Sequence, residues 1–206
     1  YQKDRYSSLN DIDFRIIKKL KSLNIKYIFL SSRKVYYPKN NITEKSKCKP
    51  NCNYSRNKFI TESKVKKFLP NKHLILRISN IIGKIHKRNK HRKVSNIFIE
   101  NFYKFKKKKN IYYENFYKDF LSEKQFSGIF YKILKKNLNG TYNVSLGKKV
   151  FISEILYALN KRTDNKKFIM VKTTTNDSFV LNNQKLLKKI NMKLNKKDLL
   201  DFCYNM

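Results

Sequence analysis

Two apolar segments of strand length, residues 26–32 and 73–79, bracket a stretch of helical character, and this order restricts the topology most. Each segment carries Ile, Leu or Phe at consecutive positions, the pattern of a strand covered on both faces. The intervening helix begins near Tyr54 and ends near Phe68, before Pro70, whose ring cannot continue it. Strand, helix and strand in this order predict parallel neighbours joined by a right-handed crossover, and so an α/β fold. Upstream, Asn10 or Asp11 caps a helix reaching to about residue 23, with Ile12, Ile16, Ile17 and Leu20 on one face. Residues 33–50 read as a polar loop.

After Gly83 the character changes. A basic loop containing His86 and His91 leads to a predicted helix over 94–105, and the four lysines at 106–109 read as a solvated loop. Aromatic strands are predicted at 111–113 and 116–120. A helix follows over 122–136, with Phe126, Ile129, Phe130 and Ile133 as its apolar face. Asn139-Gly140 is a turn signal before a strand at 141–144. Ser153 and Glu154 open another helix, with Ile155, Leu156 and Leu159 inward; a short strand at 168–171 and helices over 186–190 and 198–202 complete the chain.

The chemistry concentrates where the first of these strands ends. Ser31 and Ser32 close it, and Tyr54 and Lys58 stand one helical turn apart on the next helix. A free phenol ionises near pH ~10, too high for a base at neutral pH. A lysine at i+4 lies on the same helix face and its charge favours the phenolate. Tyr54 with Lys58 thus has the parts of a general acid–base, and Ser32 could hold a substrate oxygen against the phenol. The Tyr-x-x-x-Lys spacing alone says little, because Tyr103–Lys107, Tyr131–Lys135 and Tyr157–Lys161 share it. What distinguishes Tyr54 is its place after a strand ending in two serines and before a second apolar strand.

With these residues in view, the chain resembles the extended short-chain dehydrogenase/reductases, the NAD-dependent epimerase/dehydratase family that acts on nucleotide sugars. Ser31-Ser32-Arg33-Lys34-Val35-Tyr36 is similar to the family's strand end, and Tyr54 with Lys58 to its catalytic pair. The Leu76-Arg77 to Asn80 to Gly83 segment, Lys118-Asp119-Phe120-Leu121, and the run from Gly140 through Asn143 to Gly147 match further family segments in order. The resemblance implies a Rossmann-like parallel sheet, lacking its first strand–helix–strand units, with a small substrate-binding lobe. Residues 1–83 would be a partial NAD(P)-binding domain, and 84–206 mainly the lobe interleaved with the last elements of the main domain.

The same resemblance implies NAD or NADP as cofactor. It makes Ser32, Tyr54 and Lys58 the catalytic residues, Ser31, Tyr54 and Lys58 cofactor-binding, and Ser32, Asn80 and Lys118 substrate-binding, with no metal. Lys118 stands for an arginine that contacts the substrate's pyrophosphate, without the arginine's bidentate fork. Asn10 could match a family asparagine. Gln125 takes the place of a family aspartate. Arg33 and Lys34 stand where dehydratases of the family carry an acidic pair, which leaves epimerase or reductase. A homodimer through the Tyr54 helix and the one before it is also implied. The family's Gly-rich pyrophosphate turn has no counterpart, since Gly83, Gly128, Gly140 and Gly147 are dispersed. The expectation is of a fragment, inactive alone, of a longer enzyme of polysaccharide precursor synthesis; the alternative is a cofactor-free remnant acting as a binding module.

A net charge of +35 raises a basic nucleic-acid-binding protein as another reading. The charge is mostly Lys rather than Arg and is spread along the whole chain, and the abundant Lys, Asn, Ile, Phe and Tyr share A/T-rich codons. Cys48, Cys52 and Cys203 lack the spacing of a zinc site and suit a reducing cytoplasm. No apolar run reaches the roughly 18 residues of a membrane span.

Overall fold

The computed structural model describes residues 4–83, 110–161, 167–175 and 177–206. The expected helix over 94–105, the histidines His86 and His91 and the lysine run 106–109 lie outside the described residues.

A parallel sheet of three strands organises the molecule. Strands β1 (Tyr27–Ser32), β2 (His73–Ile78) and β7 (Gly140–Val144) lie in the order β1-β2-β7. Tyr27 pairs with His73 and Ser32 with Ile78, while Leu74 pairs with Gly140 and Ile78 with Val144. Strand alternation sends Phe29 and Ile75 to one face, where they meet Ile17 of α1 (Ile12–Leu20) and Val65 of α2 (Asn53–Phe68). Leu74, Leu76 and Val144 belong to the larger core with Ile129 and Ile133 of α3 (Glu123–Leu134) and with Leu186 and Ile190 of α5 (Gln184–Ile190). This is the helix-covered parallel architecture that the sequence predicts.

The first helix is capped by Asp11, whose Oδ1 accepts the Phe14 amide at 3.0 Å, while Oδ2 accepts the Tyr6 and Thr61 hydroxyls. Its inward stripe differs from the expected one. Phe14 and Ile17 are buried, whereas Ile12 and Ile16 are 64% and 41% exposed. The Phe14 ring meets Phe68 of α2 edge-on, centroids 5.4 Å apart, and that contact sets the rotation of the helix. Residues 33–50 also differ from a plain polar loop. A 3₁₀ turn (Arg33–Val35) opens them, and Val35, Tyr36 and Ile42 are buried against Phe179 and Leu181 near the C-terminus. Leu181 forms a bridge with Ile42, and the Ile42 amide donates to the Val180 carbonyl at 3.0 Å.

Three smaller strand pairs complete the described fold: β3 (Asn80–Ile82) with β6 (Phe120–Ser122), β4 (Asn110–Asn115) with β9 (Lys167–Thr173), and β5 (Tyr117–Lys118) with β8 (Val150–Phe151). Helices α4 (Ile152–Asn160) and α6 (Lys196–Tyr204) pack on these elements. The single strand predicted over 116–120 is broken at Asp119, which is fully buried. Its Oδ1 accepts the Leu146 amide at 2.9 Å, and Oδ2 accepts the Gly147 and Leu181 amides, both at 3.1 Å. One carboxylate therefore joins the β5–β6 junction, the loop after β7 and the segment leading to α5. Burial pushes its pKa up to about 7 against the pull of these amide donors.

A carboxyl whose folded pKa is raised contributes stability below its unfolded pKa, and that contribution is lost as pH rises through the folded value. Asp119→Asn removes this titration and also presents an NH₂ to backbone donors. The variant is expected to melt lower than wild type throughout. Its deficit should shrink as pH rises from about 4 to about 7, measured as the difference in thermal midpoints across that range. A deficit that grows with pH would contradict the assignment.

Candidate active site

The end of β1 sends its two serines different ways. Ser31 points inward, and its hydroxyl donates to Glu62 Oε1 of α2 at 2.5 Å. Glu62 is fully buried and pairs with Arg77 of β2, whose Nη2 lies 2.5 Å from Oε2 and whose Nε reaches both carboxylate oxygens at 3.0 and 3.1 Å. Arg77 Nη1 also donates to the Tyr36 hydroxyl at 2.7 Å, and that hydroxyl donates to Asn143 Oδ1 of β7 at 3.0 Å. Neither the pair nor its neighbours could be assigned from sequence spacing, since the partners lie on four elements; the matched Leu76-Arg77 segment was the one signal.

Ser32 turns toward a cavity instead. It caps the 3₁₀ turn, its Oγ accepting the Lys34 amide at 3.2 Å. Its side chain also stands beside the phenol of Tyr54, which lies in the first turn of α2. The cavity, about 560 Å³, lies beyond the C-terminal ends of β1 and β2. Leu30 to Lys34 form one wall, Cys52 and Tyr54 another, and Ile78 to Ile81 the third. Such a volume suits a small organic ligand, and the crevice past the carboxyl ends of parallel strands is where α/β sheets bind one.

The structure thus brings Ser31, Ser32, Tyr54 and Asn80 to one cavity. Lys58 lies behind it. Its Nζ donates to the Leu30 carbonyl at 3.0 Å and rests 4.6 Å from the centre of the Phe29 ring. The electrostatics differ from the expectation that Lys58 brings the phenol down. Burial pushes the Tyr54 pKa up, the Ser32 hydroxyl only partly opposing it, and burial also lowers the Lys58 ammonium despite Asp13, Asp11 and Glu62. The reason is that both groups are half-withdrawn from water, which penalises phenolate and ammonium alike.

Lys118 stands outside the cavity wall. Its Nζ pairs with Asp177 Oδ2 at 2.8 Å, and Arg33 grips the same carboxylate through Nη1 and Nη2 at 2.9 and 2.8 Å. The Arg33 guanidinium also lies 4.0 Å from the Phe179 ring centre. Burial pushes the Asp177 carboxyl up, but the two cations outweigh it and hold the pKa at about 2. Asn10 is exposed and apart from the cavity, and Gln125 serves as a helix cap, exchanging hydrogen bonds with Ser122. Cys52 is a site residue that sequence reasoning missed. It caps α2 and lines the cavity; burial pushes its thiol up, but the Ser55 hydrogen bonds, Lys34 and the Tyr54 amide bring it down overall. Among the described residues no cluster of His, Cys, Asp and Glu is placed to hold a metal, and no helix is long and apolar enough to cross a membrane.

Removing one partner of a buried ion pair leaves the other charge uncompensated. Arg77→Met is expected to cost about 3–5 kcal/mol, read from urea unfolding. Adding Glu62→Gln should recover part of the loss, because it removes the stranded charge. Equal stability of the single variant and wild type would show that the pair contributes nothing.

The sequence profile of the NAD dependent epimerase/dehydratase family matches residues 10–145. None of the curated proteins compared with the chain matches it. Among solved structures, the Bordetella bronchiseptica enzyme WbmG in complex with NAD superposes with a TM-score of 0.77 at 20% identity, over 100% of this chain and 69% of that one. UDP-N-acetylglucosamine 4-epimerase from Methanobrevibacter ruminantium M1, in complex with UDP-N-acetylmuramic acid, gives 0.73 at 22% identity, over 96% and 67%. RMD from Pseudomonas aeruginosa, complexed with NADPH, gives 0.75 at 17% identity, over 94% and 69%. The chain spans about two thirds of the length of these structures.

Proposed function

The chain belongs to the NAD dependent epimerase/dehydratase family, and from that premise we propose that it is the catalytic part of an NAD(P)-dependent nucleotide-sugar epimerase or reductase. The observation that carries this reading is the pair of neighbouring hydroxyls, Ser32 and Tyr54, facing a cavity at the carboxyl ends of β1 and β2, with Asn80 in the third wall. Ser32 orients a sugar hydroxyl or carbonyl, and Tyr54 moves its proton. Because burial keeps the phenol protonated at neutral pH, Tyr54 meets the substrate as a proton donor, the form that reduction of a sugar ketone needs. Arg33 and Lys34 in the cavity wall, where dehydratases of the family carry acids, favour reduction or epimerisation over dehydration.

The residues present fit one end of a nicotinamide cofactor. Tyr54 lines the cavity, and Lys58 of α2, whose Nζ reaches the Leu30 carbonyl near the end of β1, would hold the ribose. Ser31 lines the same cavity, and with its hydroxyl engaged by Glu62 it would meet the cofactor as a fixed part of the strand end. The turn that seats the pyrophosphate has no counterpart in the 206 residues. When bound, the nicotinamide supplies or accepts the hydride at the sugar carbon. Asn80 contacts the sugar. Lys118 shares Asp177 with Arg33 of the cavity wall, and in this reading it serves the substrate's pyrophosphate.

A polysaccharide-precursor role, a cytoplasmic location, and the division into a cofactor-binding part over 1–83 and a substrate lobe over 84–206 go with this reading. So does a homodimer through α1 and α2, which the exposed Ile12 and Ile16 support. The net charge of +35 draws anionic nucleotide sugars toward the protein, with an attraction that salt weakens.

Tyr54→Phe tests the mechanism. In the full-length protein, turnover, followed by nicotinamide absorbance with nucleotide-sugar substrates, is expected to fall by about 10²–10⁴, with circular dichroism and thermal midpoint essentially unchanged. Undiminished turnover in the folded variant would remove Tyr54 from the chemistry.

A further inference from the structure

A second hydroxyl in the cavity wall has no use in the fold. Among the described residues, the buried polar side-chain atoms lacking a hydrogen-bond partner are Arg33 Nε, Ser79 Oγ and Ser178 Oγ. Arg33 and Ser79 line the cavity that also holds Ser32 and Tyr54. Arg33 is otherwise well held, by Asp177 and by the Phe179 ring. Ser79 has no comparable hold on its side chain. A buried hydroxyl without a partner is unfavourable, and native structures seldom keep one except where something outside the chain pairs with it.

The backbone on either side fixes where this hydroxyl stands. The Ser79 amide donates to the Val144 carbonyl at 2.9 Å, and the next amide, Asn80, donates to the Asp119 carbonyl at 3.3 Å. Ser79 is therefore the residue at which the chain leaves the β1-β2-β7 sheet and joins the β3–β6 pair. Val144 at the end of β7 holds Ser79 itself, and Asp119 at the β5–β6 junction holds the residue after it, so the backbone here is fixed from two sides. Serine has three staggered χ1 positions, so rotation about that one bond redirects the hydroxyl without moving the backbone.

We infer that Ser79 is a ligand-binding residue of this cavity, its hydroxyl donating to an oxygen of the bound molecule beside the oxygen that Ser32 and Tyr54 engage. The inference rests on the nucleotide-sugar reading above. The acceptor is a carbonyl or hydroxyl oxygen, which either the sugar or the carboxamide of a nicotinamide can present. Alanine at this position would lose the donor and also remove the unpaired hydroxyl from the unliganded protein. This opposite pair of effects separates a binding residue from a structural one.

The experiment measures thermal midpoints and dissociation constants for wild type and Ser79→Ala, with no ligand, with a UDP-hexose alone, and with NAD⁺ alone. Unliganded Ser79→Ala is expected to melt at the wild-type temperature or above it. One ligand should bind about tenfold more weakly to the variant, the value of one ordinary hydrogen bond. The arm that weakens identifies the source of the oxygen. A lower midpoint for the unliganded variant would show that the hydroxyl has a partner within the fold and would overturn the inference. Unchanged affinity for a ligand that wild type binds would overturn it alone. Failure of wild type to bind either ligand would overturn the nucleotide-sugar reading and this inference with it.

Discussion

The buried pair of Glu62 and Arg77 is the interaction on which the site's geometry depends. It joins α2, which carries Tyr54 and Lys58, to the central strand β2. The same carboxylate accepts the Ser31 hydroxyl, so the end of β1 is tied to the same point. The same guanidinium reaches Tyr36, and through it Asn143 of β7. Two opposite charges withdrawn from water are stable only when their donors and acceptors are all used, and here four elements supply the partners. Such a network gains little over an apolar core in stability. It gives register: α2 cannot slide along the sheet without stranding a charge, so the phenol of Tyr54 stays opposite Ser32.

Asp119 performs the corresponding task on the other side of β2. Ser79 and Asn80 are held between the Val144 carbonyl and the Asp119 carbonyl, while the Asp119 side chain gathers the amides of Leu146, Gly147 and Leu181. The wall of the cavity formed by residues 78–81 thus inherits its position from chain segments that follow it by more than 30 residues. Gly147 belongs to this arrangement: its φ is +74°, and a Cβ there would lie 2.9 Å from the Asn183 side chain.

Burial decides the electrostatics of the site. In water Lys58 would help ionise a neighbouring phenol. Half-withdrawn from solvent, the phenol is held protonated and the ammonium is itself weakened, so the two groups do not form the simple acid–base pair that their spacing suggests. The same environment yields the opposite outcome for Cys52, because α2 begins there and its amides, with Ser55, favour the thiolate more than burial disfavours it.

The consecutive apolar residues of 26–32 and 73–79 already required a buried parallel sheet, and Pro70 already ended the helix between them, because these are properties of local pattern and backbone covalent geometry. Ser32, Tyr54 and Asn80 were legible for the same reason: each stands at a fixed offset from a strand or helix end, and element ends converge in a parallel α/β fold. Tertiary structure alone decided the rest. The inward face of α1 became Phe14 and Ile17 rather than Ile12 and Ile16 because an aromatic contact with Phe68, 54 residues away in the chain, set its rotation. Glu62 looked like an ordinary carboxylate, and Asp119 stood out only as part of a matched segment, since nothing in their neighbourhoods along the chain reveals that their partners arrive from other elements. The pKa of Tyr54 and the unpaired hydroxyl of Ser79 depend on how much water reaches them, and solvent access exists only once the chain has folded.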